Sequence, residues 1–274
     1  MGRFFLVGCP RSGTTLLQSM VAQHPRVFTI PETHYFHKIR GRLASRSVGP
    51  LVSPRAAARA LDSLVEAVDS GLPRPQVPRW WLSRGRYCRA FFGVLDRAAA
   101  ARGAEVWLEK SPIHLHYLEE IMRFAPVARF VHLLRDGRDV VASLVDLCER
   151  DGERWIPQLL PLYQGVPDRS TLIRAAADRW NSDIGLSLRH LGDPGHVIVS
   201  YEALIDNPPA VLGDLCSFMS LDYHEAMLRP WEAANEVVGW RRGMAHMERT
   251  FHPLQDRRGQ RYLTQFSQAE QEAV

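Results

Sequence analysis

The chain has 274 residues, of which 46% are hydrophobic and 23% charged, and it carries a formal net charge of +4. This length and composition are those of an ordinary globular protein with one full core. The positive charge suits an anionic ligand, whereas the absence of a dense Lys/Arg run argues against nucleic acid. No apolar run of about 18 residues predicts a membrane span, and four scattered cysteines predict neither disulfides nor a zinc site. We therefore expect a cytoplasmic protein without a membrane segment.

Apolar runs and helical periodicity predict strands that alternate with helices along the chain. The predicted strands cover residues 4–7, 27–30, 106–108, 129–134 and 196–200. The predicted helices cover residues 14–23, 55–69, 86–102, 114–124, 137–149, 171–191 and 208–219. Several strands are apolar at consecutive positions, so this order predicts an α/β fold. We expect a single domain, residues 1–274, with a central parallel β-sheet flanked by helices.

Two stretches interrupt this alternation. Residues 40–104 contain no good strand and predict a helical insert or lid. Residues 151–170 contain Trp155 and three prolines and predict an irregular loop. In such folds ligands bind beyond the carboxyl ends of the strands. We therefore expect both stretches to form the side of the site that selects the ligand.

The first motif is a phosphate-binding loop without its usual lysine. Gly8 and Gly13 occupy the glycine positions of the nucleotide loop Gly-x-x-x-x-Gly-Lys-[Ser/Thr], between a predicted strand and a helix. Thr14 stands where the lysine would reach the β- and γ-phosphates of a nucleoside triphosphate, and Arg11 is a cation inside the loop. Backbone N–H groups of residues 11–15 would converge on an anion at the helix N-terminus. The loop indicates a nucleotide with a shorter, less charged phosphate group than ATP; the alternative is a glycine turn that binds nothing.

A second charged turn follows the strand predicted over residues 129–134. Arg135 begins the sequence Arg-Asp-Gly-Arg-Asp, and Ser143 lies eight residues after Arg135, two helical turns further on. The end of a parallel strand followed by a helix N-terminus is a common place for phosphate. Arg135 would supply a fork of hydrogen-bond donors to a phosphate at this turn. The alternative is that the arginines are solvated and paired with Asp136 and Asp139.

Taken together, the two motifs resemble those of the sulfotransferases, which use 3′-phosphoadenosine-5′-phosphosulfate (PAPS) as sulfuryl donor. The resemblance is closest to bacterial members with tyrosylprotein-sulfotransferase-like motifs, and it implies a P-loop NTPase-like fold. It also implies that the loop binds the 5′-phosphosulfate and the second motif the 3′-phosphate. The implied ligands are Arg11, Ser12, Gly13, Thr14, Thr15, Arg135 and Ser143. The missing lysine is then explained, because this donor has no triphosphate and needs no metal.

The same resemblance implies the catalytic residues. In the tyrosylprotein-like branch a glutamate in a Glu-Thr pair, 21 residues after the loop arginine, acts as the base, and Glu32 has that spacing from Arg11. A lysine before a short Ser-Pro turn matches Lys110, one of only two lysines in the chain. We expect Glu32 to accept the acceptor proton, and Lys110 and Arg11 to stabilise developing charge.

Each of these assignments has an alternative. His34 is a rival base, since the small-molecule branch of the family uses histidine. Glu32 is otherwise an ordinary surface carboxylate at a strand end, and Lys110 a solvated residue before a turn.

Two further segments resemble nucleotide-binding parts of the family. Tyr201 begins a Tyr-Glu-x-Leu sequence after the last predicted strand, which implies a contact with the cofactor; a packing tyrosine is the alternative. Arg258 and Gly259 belong to a segment similar to Gly-Arg-Trp-Arg-x-Tyr-Leu, which closes over the nucleotide. Gln260 departs from this pattern, so the arginine that reaches the 3′-phosphate stays open. Ala245 stands where the tyrosylprotein branch has a serine that touches the donor.

We therefore expect an enzyme that moves the sulfuryl group of PAPS to an acceptor hydroxyl by in-line displacement, without a metal. The unmatched stretches 40–104 and 151–170 would select the acceptor, and we favour a small or lipidic metabolite. A peptide tyrosine is the alternative acceptor. Two other classes stay open: an atypical P-loop kinase or NTPase, which would bind ATP with Mg²⁺, and a nucleotide-binding module without catalysis. The oligomeric state stays open as well.

Overall fold

One parallel β-sheet forms the centre of the protein. The computed structural model describes residues 1–39, 54–68, 84–232 and 260–272. Its strands are β1 (Gly2–Val7), β2 (Val27–Ile30), β3 (Val106–Lys110), β4 (Arg129–Leu134) and β5 (His196–Ser200), in the order β2-β3-β1-β4-β5. Every neighbouring pair is parallel. The predicted α/β fold with a central parallel sheet is confirmed, and the strand boundaries differ from the predicted ones by at most two residues.

Helices connect the strands. In chain order they are α1 (Thr14–Ala22), α2 (Tyr35–Lys38), α3 (Pro54–Val68), α4 (Arg84–Ala101), α5 (Leu118–Phe124), α6 (Gly137–Arg150), α7 (Gly152–Leu159), α8 (Arg169–Leu188), α9 (Tyr201–Asp206), α10 (Pro208–Met219), α11 (Gln260–Gln265) and α12 (Gln268–Glu272). The 3₁₀ turns Pro112–Tyr117 and Glu225–Leu228 precede α5 and follow α10. Within the described ranges, no helix combines the length and the apolar character needed to cross a bilayer.

Alternate residues of the strands contribute to hydrophobic cores on the two faces of the sheet. On one face, Phe5 of β1 packs with Phe91 of α4 and Trp107 of β3. On the other face, Leu6 of β1 belongs to a core that includes Leu17 of α1. A strand covered on both faces is apolar at consecutive positions, which is why β1 is recognisable in the sequence.

The prediction of an irregular stretch over residues 151–170 is wrong for its first half, because α7 occupies Gly152–Leu159. Trp155, Ile156 and Leu159 of α7 pack against the core that α6 and α8 share. Pro157 lies inside the helix, where a proline removes a backbone hydrogen bond. The packing of the three apolar side chains offsets that loss.

The described residues of the insert predicted over residues 40–104 are helical except for the turn at residues 102–104. Its helices are α3 and α4. Leu61 and Leu64 of α3 belong to the same hydrophobic core as Phe5 of β1. Residues 40–53 and 69–83, which include Trp80 and Trp81, lie outside the described residues. The role of this insert on the acceptor side stays a prediction.

The carboxyl ends of the five strands meet at one edge of the sheet. The segments that follow them are residues 8–13 after β1, 31–34 after β2, 111 after β3, 135–136 after β4 and 201–202 after β5. The strand order places the phosphate loop in the middle. Glu32 and Lys110 then lie on one side of the loop, and Arg135 lies on the other.

Candidate active site

The loop after β1 has the backbone conformation of an anion-binding turn. Gly8 has a φ of 148°, and a Cβ there would lie 2.5 Å from the Leu133 carbonyl oxygen, so only glycine fits where β1 passes β4. Arg11 and Gly13 have φ values of 77° and 95°, in the left-handed region. A left-handed residue other than glycine, such as Arg11, is uncommon and often marks a functional turn. Turns of this kind aim consecutive N–H groups at one point, here the N-terminus of α1.

Two predicted phosphate ligands have buried polar atoms that no group in the described part of the chain hydrogen-bonds. Neither the Ser12 hydroxyl nor Arg135 Nε has a hydrogen-bond partner among the described residues, although both atoms are buried. Buried polar atoms are otherwise almost always hydrogen-bonded. One of these atoms lies in the loop predicted to hold a 5′-phosphosulfate, and the other in the motif predicted to hold a 3′-phosphate. The residues present therefore fit a ligand with two anionic groups, as PAPS has.

Lys110 connects the loop to the predicted base. Its Nζ donates to Thr15 Oγ1 at 3.1 Å and forms an ion pair with Glu32. The side chain of Lys110 is 2% exposed and that of Glu32 is 14% exposed, so the pair is shielded from solvent. Each partner favours the charged form of the other. The structure brings Glu32 and Lys110 together beside the loop and excludes the solvated alternatives for both.

The second carboxylate oxygen of Glu32 contacts the rival base. His34 Nε2 lies 3.1 Å from Glu32 Oε2, and the His34 side chain is 37% exposed. His34 precedes α2 in a left-handed conformation, with a φ of 49°. Glu32 therefore has a buried cation at one oxygen and a partly exposed imidazole at the other. The two candidate bases form one contact pair, and their separate roles stay a prediction.

Arg135, Tyr201 and the loop lie against one another. The guanidinium carbon of Arg135 lies 4.3 Å from the centre of the Tyr201 ring. A Cβ on Gly13 would lie 2.5 Å from Tyr201 Cδ2, so the ring packs on the loop backbone. Arg135 Nη2 also donates to Asp139 Oδ2 at 2.9 Å. The alternative pairing with Asp139 is thus present, but it uses only one edge of the guanidinium and does not involve Nε.

Side-chain contacts connect the three motifs along the sheet edge. Arg11 Nε donates to Ser143 Oγ at 3.1 Å, which joins the loop to the helix of the second motif. The backbone N–H of Asp136 donates to Glu202 Oε1 at 2.9 Å, which joins the turns after β4 and β5. All predicted site residues within the described part of the chain therefore belong to one continuous surface.

Replacing Gly13 by Ala should destabilise the protein. A left-handed φ disfavours alanine, and the new Cβ would overlap the Tyr201 ring. We expect the free energy of unfolding in urea to fall by about 1–3 kcal/mol. Gly185→Ala is the matched control, because Gly185 lies inside α8 with nothing within 4 Å of a new Cβ, and it should be neutral or stabilising. Equal effects would mean that neither the left-handed φ nor Tyr201 constrains Gly13.

The C-terminal motif is described only in part. Arg258, Gly259 and Ala245 lie outside the described residues, so their contacts with the nucleotide stay predictions. Tyr262, at the end of the motif, lies in α11 with the Arg138 guanidinium 5.8 Å from its ring centre. The described end of the motif therefore lies against α6, next to the second motif.

Sequence reasoning missed Glu109. It lies in β3 directly before Lys110, is completely buried, and accepts hydrogen bonds from Thr33, Ser111 and His114. The signal was present, because a glutamate in a strand covered on both faces needs internal partners.

Asp183 of α8 lies behind the loop and was also missed. Its side chain is 1% exposed and contacts Arg179 Nε and His116 Nε2 at 2.7 and 2.9 Å. Burial raises the pKa of Cys9 well above its ordinary value, and the negative charge of Asp183 raises it further. The loop cysteine therefore stays an uncharged thiol and adds no negative charge beside a bound anion.

A central parallel sheet flanked by helices, with a glycine loop after its first strand, defines an α/β protein with a P-loop-like fold. The profile of the sulfotransferase family matches residues 3–225, and the chain belongs to that family. The matched range includes the five strands, apart from Gly2 at the start of β1, and every described site residue.

Curated relatives agree with this assignment. The chain is 24% identical to a putative protein-tyrosine sulfotransferase of Caenorhabditis briggsae over 236 residues, which cover 85% of the chain and 71% of that protein. It is 25% identical to the protein-tyrosine sulfotransferase of Drosophila melanogaster over 244 residues, which cover 87% of the chain but only 42% of that protein. The chain therefore spans less than half the length of the fly protein.

Solved structures share the fold. The sulfotransferase domain from the curacin biosynthetic pathway has a TM-score of 0.58 and 20% identity, with 93% of this chain and 84% of that domain covered. A mouse sulfotransferase, SULT7A1, complexed with PAP has a TM-score of 0.50 and 12% identity, with 99% and 80% covered. At these identities the likeness shows a common fold.

Proposed function

We propose that the protein transfers the sulfuryl group of PAPS to a hydroxyl of a small or lipidic metabolite. The observation that carries the proposal is the position of Lys110, whose Nζ contacts both Thr15 of the phosphate loop and Glu32. A cation and a base then lie on the same side of the loop, next to any group bound there. Family membership supports the reaction class. The mouse structure with PAP, 3′-phosphoadenosine 5′-phosphate, supports PAPS as the donor.

Eight buried side-chain polar atoms have no hydrogen-bond partner among the described residues, and the two that belong to the phosphate motifs would divide the binding of the donor. The Ser12 hydroxyl and the loop amides would hold the 5′-phosphosulfate, and Arg135 Nε would hold the 3′-phosphate. Arg11, which donates to Ser143, lies between them. PAPS supplies a sulfuryl group already joined to a good leaving phosphate, and the residues orient it.

The proposed transfer is an in-line displacement in which Glu32 accepts the proton of the acceptor hydroxyl. The acceptor oxygen forms a bond to sulfur while the bond from sulfur to the 5′-phosphate oxygen breaks, and that electron pair remains on the phosphate. Lys110 and Arg11 stabilise the charge that develops on these oxygens. His34, 3.1 Å from Glu32 and partly exposed, passes the proton to solvent. The products are a sulfate ester and PAP.

The proposal also names the chemical class of the acceptor. Leu162, Tyr163 and Val166 follow α7 as exposed apolar side chains in one of the two stretches assigned to the acceptor side, which favours a lipidic molecule. A peptide tyrosine is the second candidate, favoured by the similarity to protein-tyrosine sulfotransferases of C. briggsae and D. melanogaster. A cytoplasmic setting suits the chain, because all four cysteines are buried free thiols.

A turnover assay tests the proposal. The purified protein is incubated with ³⁵S-labelled PAPS in EDTA and with one of three acceptors: a long-chain primary alcohol, a simple phenol or a tyrosine-containing peptide. We expect labelled ester from the alcohol or the phenol, with release of an equal amount of PAP. Labelling of the peptide alone would overturn the acceptor class. A protein that labels none of the three and does not bind PAP would overturn the function.

Replacing Arg135 by Ala should weaken the binding of PAP. Loss of a charged hydrogen bond costs about 1.5–3 kcal/mol, so the dissociation constant should rise roughly 10- to 100-fold in calorimetry. The affinity for AMP, which lacks the 3′-phosphate, should not change. Arg138→Ala is the matched control in the same motif, because Arg138 is exposed and paired with Asp136. Unchanged PAP affinity in Arg135→Ala would remove the second motif from the nucleotide site.

A further inference from the structure

The turn that carries Glu32 is held by one buried carboxylate, that of Glu109. Backbone N–H groups at the start of a helix lack helical partners, and residues 33–36 lead from β2 into α2. The N–H of Thr33 donates to Glu109 Oε1 at 3.3 Å, and that of His34 donates to Ser111 Oγ at 2.9 Å. The Ser111 hydroxyl donates in turn to Glu109 Oε1 at 2.6 Å. The first two N–H groups of the turn are thus fixed by Glu109 directly or through one hydroxyl.

The next two N–H groups depend on the same carboxylate. The N–H of Tyr35 donates to Thr33 Oγ1 at 3.2 Å, and that of Phe36 donates to His114 Nε2 at 3.3 Å. Thr33 Oγ1 donates to Glu109 Oε1 at 2.7 Å, and His114 Nδ1 lies 2.8 Å from Glu109 Oε2. Because His114 Nε2 accepts, Nδ1 carries the proton that is donated to Glu109. Four consecutive N–H groups are therefore satisfied by Glu109 or by a group that Glu109 orients.

Glu109 is itself fixed in place. It is completely buried, and burial, the largest influence, raises its pKa. The interaction with His114 and the hydrogen bonds from His114, Ser111 and Thr33 nevertheless bring the pKa of Glu109 below its ordinary value of 4.5. Any displacement of this ionised group would leave a buried charge with fewer donors, which is costly. The carboxylate can therefore act as a rigid anchor.

The anchor lies next to both members of the ion pair. Glu109 directly precedes Lys110 in β3, and its register partner in β2 is Ile30, two residues before Glu32. We propose that Glu109 is a positioning residue that fixes Glu32 and Lys110 relative to the phosphate loop. It touches no substrate and acts through the turn after β2 and through Ser111. This inference rests on the proposed function and deepens it.

Glu109→Gln keeps the shape of the side chain and removes its charge. We expect kcat to fall by roughly 10²-fold, as for a small misplacement of catalytic groups, with the KM for PAPS and the dissociation constant of PAP changed by less than roughly threefold. The nucleotide ligands lie mainly on the β1 and β4 turns, which Glu109 does not hold. Glu105→Gln is the matched control, because Glu105 lies just before β3 and pairs with Arg26 at the surface; its kinetic parameters should stay at wild-type values.

A spectroscopic readout reports the position of Lys110 without any turnover. The chain has only two lysines, Lys38 and Lys110, so protein labelled with ¹³C-lysine gives two side-chain Cε signals. In Glu109→Gln the Lys110 signal should shift and broaden as its pair with Glu32 loosens. The exposed Lys38 at the end of α2 gives the second signal, which should shift less than that of Lys110. Ser111→Ala removes one link of the same network, so it should shift the Lys110 signal less and is the test variant if Glu109→Gln does not fold.

The outcomes separate the possibilities. An unchanged Lys110 signal, or a kcat within roughly threefold of wild type in folded Glu109→Gln, would overturn the positioning role. Parallel losses of kcat and PAP affinity would overturn it too, since they would mark a general structural defect. If the wild-type protein transferred no sulfuryl group, the proposed function would fail, whereas the Lys110 signal would still decide whether Glu109 holds the pair.

Discussion

Replacing Glu32 by Gln should lower kcat by roughly 10²–10⁴-fold, the usual contribution of a positioned general base. The amide keeps the shape of the side chain but does not accept the acceptor proton. The affinity for PAP should change little, because most of the predicted nucleotide ligands follow β1, β4 and β5, whereas Glu32 follows β2. Single-turnover transfer from labelled PAPS and calorimetry with PAP measure the two effects separately. Comparable turnover in the variant would remove Glu32 from the mechanism.

His34→Asn is the matched comparison for Glu32→Gln. His34 Nε2 contacts Glu32 Oε2 at 3.1 Å, and in the proposed mechanism the imidazole supports the carboxylate and passes the proton to solvent. We expect His34→Asn to cost less turnover than Glu32→Gln. The reverse order would assign the base to His34, as in the small-molecule branch of the family.

Replacing Lys110 by Met should lower kcat by about 10²–10³-fold, the loss expected for one preorganised charge-stabilising donor. Methionine fills the volume of the lysine stem and removes the ammonium that lies between Thr15 and Glu32. The free energy of unfolding should fall as well, because the largely buried Glu32 loses its ammonium partner. Transfer rates of the folded variant and its urea denaturation curve measure the two consequences.

Two other substitutions control for this result. Lys38→Met changes the only other lysine, which is exposed, and should leave kcat and stability at wild-type values. Lys110→Arg keeps the positive charge but replaces a compact ammonium by a wider planar fork, so it should restore stability more than kcat. If Lys110→Met turned over at the wild-type rate, Arg11 or the loop amides would have to stabilise the charge alone.

The sheet could be predicted because its signal is local. The strand β4 (Arg129–Leu134) was predicted with its exact limits, and α6 (Gly137–Arg150) within one residue, since buried strands and amphipathic helices leave periodic patterns. The short helix α2 could not be predicted, because the N–H of Phe36 and that of Thr33 just before the helix donate to His114 and Glu109 from a distant part of the chain. The helix α7 was hidden by Pro157 and depends on the packing of Trp155.

In the candidate site, too, local sequence motifs could be recognised, whereas contacts between distant segments could not. The resemblance to the tyrosylprotein-like branch implied Glu32 and Lys110, and the strand order explains why they meet, since β2 and β3 are neighbours. Contacts between motifs leave no recognisable pattern in the sequence. Arg11 and Ser143, for example, are 132 residues apart and meet only in the folded chain. Glu109 was missed for this reason, because its partners come from two separate segments.

The substitution of Thr14 for the loop lysine has a structural counterpart. The ammonium absent from the loop is supplied by Lys110, which reaches Thr15 from the neighbouring strand β3. A lysine inside the loop would follow the phosphate chain of a triphosphate. A lysine paired with Glu32 lies instead beside the base, where a transferred group and its acceptor would meet. This position favours sulfuryl transfer over ATP chemistry.

Calorimetric titration of the wild-type protein with PAP, and separately with ATP and Mg²⁺, tests the nucleotide assignment most directly. We expect PAP to bind without added metal and more tightly than AMP, because in the proposed site Ser12 and Arg135 would each hold one of two separate anionic groups. ATP with Mg²⁺ should bind weakly or not at all. Binding of ATP with Mg²⁺ that is tighter than binding of PAP would contradict a PAPS-dependent sulfotransferase and would indicate a kinase or NTPase instead.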